Sequence, residues 1–155
     1  MNDDTATKAD AELYINRTFD APRALVFEAW TKQEHLDRWS CPTGFTIPSS
    51  EGDIRTGGWF RTCMRSPDGE DHWLSGRYEE VTPPERLVFT HAWHDGNDQP
   101  GHETRVTVIF SETPEGKTRM QFHQAFFTST ASRDGHEEGW NETFDKLGTL
   151  LCELA

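Results

Sequence analysis

Apolar residues recur at two spacings along this chain, and the changes between them predict its layout. From 11 to 19, Leu13, Ile15, Arg17 and Phe19 alternate with polar positions, the mark of a half-buried strand. Pro22 then stands where a first helical turn tolerates a missing N–H. Leu25, Val26, Ala29 and Trp30 follow at helical spacing, which predicts a short amphipathic helix over 22–31. Thr31 and Glu34 have the capping-box spacing and open a second short helix carrying Leu36 and Trp39, ending before Pro42. From Phe45 to Phe127 the pattern is β. Strands are expected over 45–49, from Gly57-Gly58 to Arg65, and over 72–81, 87–93, 104–110 and 118–127. Ser66-Pro67-Asp68-Gly69, Pro83-Pro84-Glu85, Asp95–Gly101 and Pro114-Glu115-Gly116 separate them as turns. Strands joined by short polar turns imply an antiparallel meander.

The last segment returns to helical period. Trp140, Phe144, Leu147, Leu151 and Leu154 form one stripe. The helix is expected to start near Ser132, with Asp134, Glu137 and Glu138 suited to its N-terminus. The order is therefore strand, two short helices, six strands and one long helix. An antiparallel sheet cannot leave its apolar face bare, and the terminal helix is the largest element able to cover it. The predicted class is α+β, a curved antiparallel sheet gripping a C-terminal helix, with a ligand cavity where the two do not touch. Residues 1–10 read as a frayed tail and 11–155 as a single domain, with no repeats and no linker.

Composition changes this picture in one respect. Only 28 of 155 residues are Leu, Ile, Val or Phe, low enough with a net charge of −12 to suggest disorder. Ten Phe and six Trp argue for a folded domain whose interior is built from rings, because disordered chains are poor in aromatics. The charge, 15 Lys+Arg against 27 Asp+Glu, excludes nucleic acid and disfavours anionic membrane surfaces. No apolar run is long enough to span a bilayer, and the acidic start lacks the features of a secretory signal. Cys41, Cys63 and Cys152, odd in number and without CxxC spacing, fit free thiols in a reducing cytoplasm.

A set of residues in this order resembles the START-like (SRPBCC, helix-grip) superfamily, whose fold the Bet v allergens share. Within it the chain is similar to the AHSA-type group, homologues of the activator of the heat-shock protein 90 ATPase. The residues that carry the likeness are Arg17, Phe19, Ala21-Pro22, Val26-Phe27, Ala29-Trp30-Thr31, Leu36 and Trp39. They continue through Gly57-Gly58, Met64, Gly69, Gly76, Tyr78 and Pro83-Pro84-Glu85-Arg86-Leu87-Val88. Val106-Thr107-Val108, Thr118-Arg119 and Gly139-Trp140 complete the set. The resemblance implies a helix-grip fold and a cavity for lipids, hormones or other apolar molecules, with cyclases and hydrolases on the same scaffold. It also implies a stress-response setting and a chaperone partner, although the eukaryotic co-chaperone's additional N-terminal domain has no room here. Fold likeness licenses a cavity and not a reaction.

Strand parity nominates the inner face. Phe60, Thr62 and Met64 share one row; Leu74, Gly76 and Tyr78 a second; Leu87, Phe89, His91 and Trp93 a third. Val106, Val108 and Phe110 form a fourth, and Met120, Phe122, Gln124 and Phe126 a fifth. On the helix, His136, Gly139, Trp140, Thr143 and Leu147 lie on or near one stripe, which turns His136 toward the sheet's mouth, with Gly139 read as a point of close approach between helix and strands. The ligand-binding set is Phe60, Thr62, Met64, Tyr78, Phe89, His91, Trp93, Phe122, Gln124, Phe126, His136, Trp140 and Thr143. Mostly aromatic walls with few directional groups describe a small-molecule site. Gln124, mid-strand between two Phe, is read as paired to His136, Tyr78 or a buried water, or as orienting a ligand carbonyl.

Other chemistry is less well supported by the sequence. His94, Asp95, Asp98 and His102 crowd one loop but match no zinc motif, so no metal is assigned. No motif calls for a cofactor, and no G-x-S-x-G, P-loop or H-E-x-x-H occurs. Cys63 and Cys152 read as buried small hydrophobes. The expected function is binding of one small, largely apolar or lipid-like molecule by a cytoplasmic monomer or homodimer. The alternatives are a cyclase or hydrolase using His136 or Tyr78, and a co-chaperone-like interaction domain.

Overall fold

Alternation and helical periodicity become ten elements in the computed structural model, which describes residues 11–154. The expected tail at 1–10 lies outside the described residues. The elements are β1 (Leu13–Phe19), α1 (Arg23–Thr31), α2 (Gln33–Trp39), β2 (Thr46–Asp53), β3 (Trp59–Arg65), β4 (Asp71–Thr82), β5 (Arg86–His94), β6 (Pro100–Glu112), β7 (Thr118–Ala125) and α3 (Thr130–Leu154). The seven strands form one sheet in the order β1-β7-β6-β5-β4-β3-β2, antiparallel at every pairing. Strands β2 to β7 are the meander that short polar turns dictate. β1 adds to the free edge of β7, with Ile15 opposite Phe122. This is the α+β helix grip expected from the sequence.

The sheet's inner face is buried under α3, which contributes Phe144, Leu147, Leu150 and Leu151. Each such side chain contributes about 1.5–3 kcal/mol on burial. The stripe read from the sequence is therefore the core face, and α1 and α2 complete the cover. Trp30 of α1 is the hub, its ring centroid 4.8 Å from Trp39, 6.1 Å from Phe144, 6.3 Å from Phe110 and 6.4 Å from Trp140. The Trp39 indole donates to the Ala29 carbonyl at 2.9 Å, so a ring of α2 is tied to the backbone of α1. Arg17 leaves β1 on the inner-face parity and clamps α3, donating to Asp145 Oδ1 at 2.7 Å and to the Asn141 carbonyl at 3.0 Å.

Several local expectations are corrected. The capping box does not form: Lys32 is the N-cap of α2 without a side-chain bond, and the Thr31 hydroxyl donates back to the Phe27 carbonyl at 2.9 Å. Thr31 is the last residue of α1, where its nearest acceptor is the carbonyl one turn back. α3 begins at Thr130, with the Ser129 hydroxyl accepting the Ser132 N–H at 3.1 Å. Asp134, Glu137 and Glu138 consequently lie beyond the first turn. β2 extends to Asp53 and β6 starts at Pro100, both longer than expected, because pairing with β3 and β5 holds polar segments extended. Cys63 is buried, whereas Cys152 is exposed, on the outer side of the α3 stripe. Among the described residues no helix is long and apolar enough to cross a membrane.

Candidate ligand cavity

The inner parity of β3, β4 and β5 and one face of α3 converge on two adjoining chambers. The inner one, about 70 Å³, lies between Phe60, Thr62, Leu74, Tyr78 and Phe89 of the sheet and Trp30 and Leu36 of the short helices. The outer one, about 390 Å³, is bounded by Met64, Trp93, Pro42 and Phe45 on one side and by Gly135, His136, Gly139 and Thr143 of α3 on the other. Ser40, Met64, His91 and Trp140 line both chambers. The lining is apolar with a few polar groups.

Several of the polar groups have an identifiable state. Trp93 Nε1 can only donate, and it lies 3.1 Å from His136 Nε2. His136 Nε2 is therefore the acceptor, and Nδ1 carries the proton given to the Ser132 carbonyl at 2.8 Å. The Thr143 hydroxyl is used within α3, donating to the Gly139 carbonyl at 2.8 Å. Tyr78 is kept protonated, its hydroxyl pushed above the usual range by burial. Trp30 Nε1 is buried without an acceptor. A buried indole N–H left without an acceptor among the described residues costs about 1–3 kcal/mol.

His91 sits at the junction of the chambers, 5% exposed, with ring centroids of Trp93, His136 and Trp140 at 5.6, 5.9 and 6.1 Å. Burial, aided by the neighbouring His136, pushes its pKa down to about 3. The unfolded chain takes up a proton near 6.5 that the folded chain refuses. Stability is thus complete above that value and declines as pH falls toward about 3. We expect a loss of about 2 kcal/mol between pH 7.5 and 5 in chemical denaturation. This window lies above carboxylate titration, and His91→Phe should flatten most of the slope there.

The structure does not bring every nominated residue to the cavity. Phe60, Thr62, Met64, Tyr78, Phe89, His91, Trp93, His136, Trp140 and Thr143 line one chamber or both. Phe122 is solid core, 4.7 Å from the Trp140 ring and 5.2 Å from that of Phe144. Gln124 is fully buried behind Trp140, accepting its indole N–H at 2.8 Å and donating to Thr104 Oγ1 at 2.9 Å. Its partners are neither His136 nor Tyr78. Phe126 is 58% exposed, on the face opposite to the one expected. β7 ends at Ala125 and Phe126 adopts φ +73°, which breaks the alternation and turns Phe127 inward instead. Gly139 is no close approach either, since a Cβ there would meet only Pro42 Cγ, at 3.7 Å. Trp30, Leu36, Ser40, Pro42 and Phe45 were missed. For Trp30 and Leu36 the apolar stripes of α1 and α2 are the available signal, but nothing in them says which side chain faces a cavity; Ser40, Pro42 and Phe45 follow α2 on no stripe at all.

A family model, that of activator of Hsp90 ATPase homolog 1-like proteins, matches residues 20–152. Among curated proteins no match is found. Several bacterial crystal structures are similar over nearly the whole chain. An AHSA1 protein from Silicibacter pomeroyi is 27% identical with a TM-score of 0.84, covering 93% of this chain and 99% of that one. A protein from Nitrosomonas europaea is 29% identical with a TM-score of 0.77 and coverages of 92% and 94%. One from Chromobacterium violaceum is 25% identical with a TM-score of 0.82 and coverages of 92% and 97%. With the helix grip, the cavity between sheet and helix and a family match spanning most of its length, this chain belongs to the activator of Hsp90 ATPase homolog 1-like family within the START-like superfamily.

Proposed function

We propose that this protein is a cytoplasmic binder of one small, largely apolar molecule that carries an oxygen acceptor. The carrying observation is the outer chamber of about 390 Å³ between Trp93, Trp140 and a helix face cleared by Gly135 and Gly139. That volume falls within the range of small-ligand sites. The apolar body would fill this chamber, and the acceptor would reach Tyr78, which lines the inner one and holds its proton. Binding is favoured over acid–base catalysis because both nitrogens of His136 are engaged, by Trp93 and by the Ser132 carbonyl. Three unpaired cysteines are consistent with a reducing compartment.

Gly139→Leu separates binding from folding. Its Cβ meets only Pro42 Cγ at 3.7 Å, and the rest of the side chain enters the outer chamber. Replacing a helix-interior glycine should hold stability level or raise it by up to about 1 kcal/mol. Native mass spectrometry of the freshly purified protein, with organic extraction of anything released, should find a stoichiometric small molecule on the parent chain. The Gly139→Leu variant should lose it while its unfolding midpoint holds or rises. Equal retention by both proteins would place the ligand elsewhere and end this reading.

A further inference from the structure

The convex face of the sheet, opposite the cavity, carries a second constellation that the ligand site does not use. Ser75 of β4 and His94 of β5 have the parity opposite to Leu74 and Trp93, so both side chains leave on the outer face. Ser75 Oγ lies 2.8 Å from His94 Nε2, and His94 Nδ1 lies 2.7 Å from Asp98 Oδ1. Arg61, the β3 residue paired with Ser75, shares that face. Its guanidinium donates to Asp98 Oδ2 at 2.9 Å and stacks 3.8 Å over the Trp73 ring.

We propose that Ser75, His94 and Asp98 form a serine acyl-transfer site acting on small activated carboxylic esters, with Arg61 as the cation beside the nucleophile. The hydrogen bonds fix the roles. An ionised carboxylate only accepts, so in the neutral ring Nδ1 carries the proton toward Asp98 and Nε2 presents its lone pair to the Ser75 hydroxyl. The Asp98 carboxyl is held below the usual range by its bond from His94 and by the Arg61 charge, so it stays ionised. The His94 side chain is only 6% exposed, which holds the imidazole in place. Asp98 adopts φ +57°, a left-handed conformation uncommon outside glycine that aims its carboxylate back at the strand. Nucleophile, base and orienting carboxylate are thus linked at hydrogen-bonding distance in the order acyl transfer requires. Of the four loop residues that resemble metal ligands, only His94 and Asp98 meet, because His102 Nε2 bonds the Phe126 carbonyl instead.

The chemistry balances on these groups. Ser75 Oγ bonds the ester carbonyl carbon as its proton passes to His94 Nε2, and the carbonyl oxygen takes the negative charge beside Arg61. Collapse breaks the carbon–oxygen bond to the alcohol, which leaves with the proton from Nε2. Water then repeats the sequence, giving the carboxylic acid and free Ser75. A fluorophosphonate probe follows the first half: the Oγ–P bond forms, the P–F bond breaks, fluoride leaves and the proton goes to His94.

The test treats the full chain with a fluorophosphonate probe and locates the adduct by peptide mass spectrometry, alongside 4-nitrophenyl acetate kinetics. Expected are an adduct on Ser75 and a nitrophenolate burst that Ser75→Ala abolishes. His94→Ala should slow labelling about 10²-fold or more. Asp98 acts through His94 and is a positioning residue. Asp98→Asn, whose side chain tolerates the same backbone conformation, should slow labelling without moving the unfolding midpoint, and Asp98→Glu should restore part of the rate. No adduct on Ser75, an adduct elsewhere, or a burst that survives Ser75→Ala overturns the proposal.

Discussion

Replacing Gly76 by alanine should destabilise the protein by at least about 3 kcal/mol, lowering the melting temperature by roughly 10 °C. Gly76 lies on the inner parity of β4, opposite Phe60 of β3. A Cβ built there would sit 1.9 Å from the Thr90 carbonyl oxygen and 2.5 Å from a Phe60 ring carbon. Phe60 could swing aside into the inner chamber. The Thr90 oxygen cannot, because it belongs to the backbone of β5 in the centre of the sheet. Relief would require β4 and β5 to part, which would disturb the strands that carry Tyr78, Phe89 and His91. Gly135→Ala is the matched control: the same added methyl meets nothing within 4 Å and should stabilise α3 by up to about 1 kcal/mol. Paired thermal melts of the two variants check both signs. If both lie within about 1 kcal/mol of the parent chain, β4 passes β5 less closely than the structure places it.

The same strand shows what the sequence could and could not disclose. Element type was legible wherever one period held, as in β3 to β5 and the α3 stripe, because burial of one face enforces the pattern. Element ends were less legible, since they depend on a single backbone angle. At Phe126, φ +73° exchanges the faces of two adjacent Phe residues, and no composition rule distinguishes them. Thr31 could serve as a cap or bond back within α1, and only the position of the helix end decides. The sheet-side lining of the cavity followed from parity. The short-helix lining did not, because α1 and α2 pack on each other as well as on the sheet and most of their apolar residues face core. The Ser75 constellation was illegible for a further reason. Its members lie on the polar face, where alternation carries no burial signal, and the loop conformation at Asp98 brings them together.

Trp140→Ala should cost about 4 kcal/mol or more, because two effects add. The ring is packed against Phe122, Phe144 and Trp30, at centroid distances of 4.7, 5.5 and 6.4 Å, and removing an aromatic of this kind costs about 3–5 kcal/mol. Its loss also orphans the Gln124 carbonyl oxygen in a fully buried position, a further cost of about 1–3 kcal/mol. Trp140→Phe isolates this second effect, keeping a ring while removing the donor. The indole begins a chain in which Gln124 Nε2 donates to Thr104 and the Thr104 hydroxyl to the His91 carbonyl, tying α3 through β7 and β6 to β5. If the chain acts as a unit, Gln124→Leu in the Trp140→Phe background should be less destabilising than the single changes sum to, by about 1–2 kcal/mol in urea denaturation. Additive costs would mean that packing alone holds Trp140. The distinction bears on function because Trp140 is one of the four residues that line both chambers. Coupled, the ring is fixed from behind and the cavity keeps its shape without a ligand. Trp140→Phe should then free the ring from that anchor and weaken retention of the bound molecule, whereas Trp140→Ala should merge the chambers and abolish it.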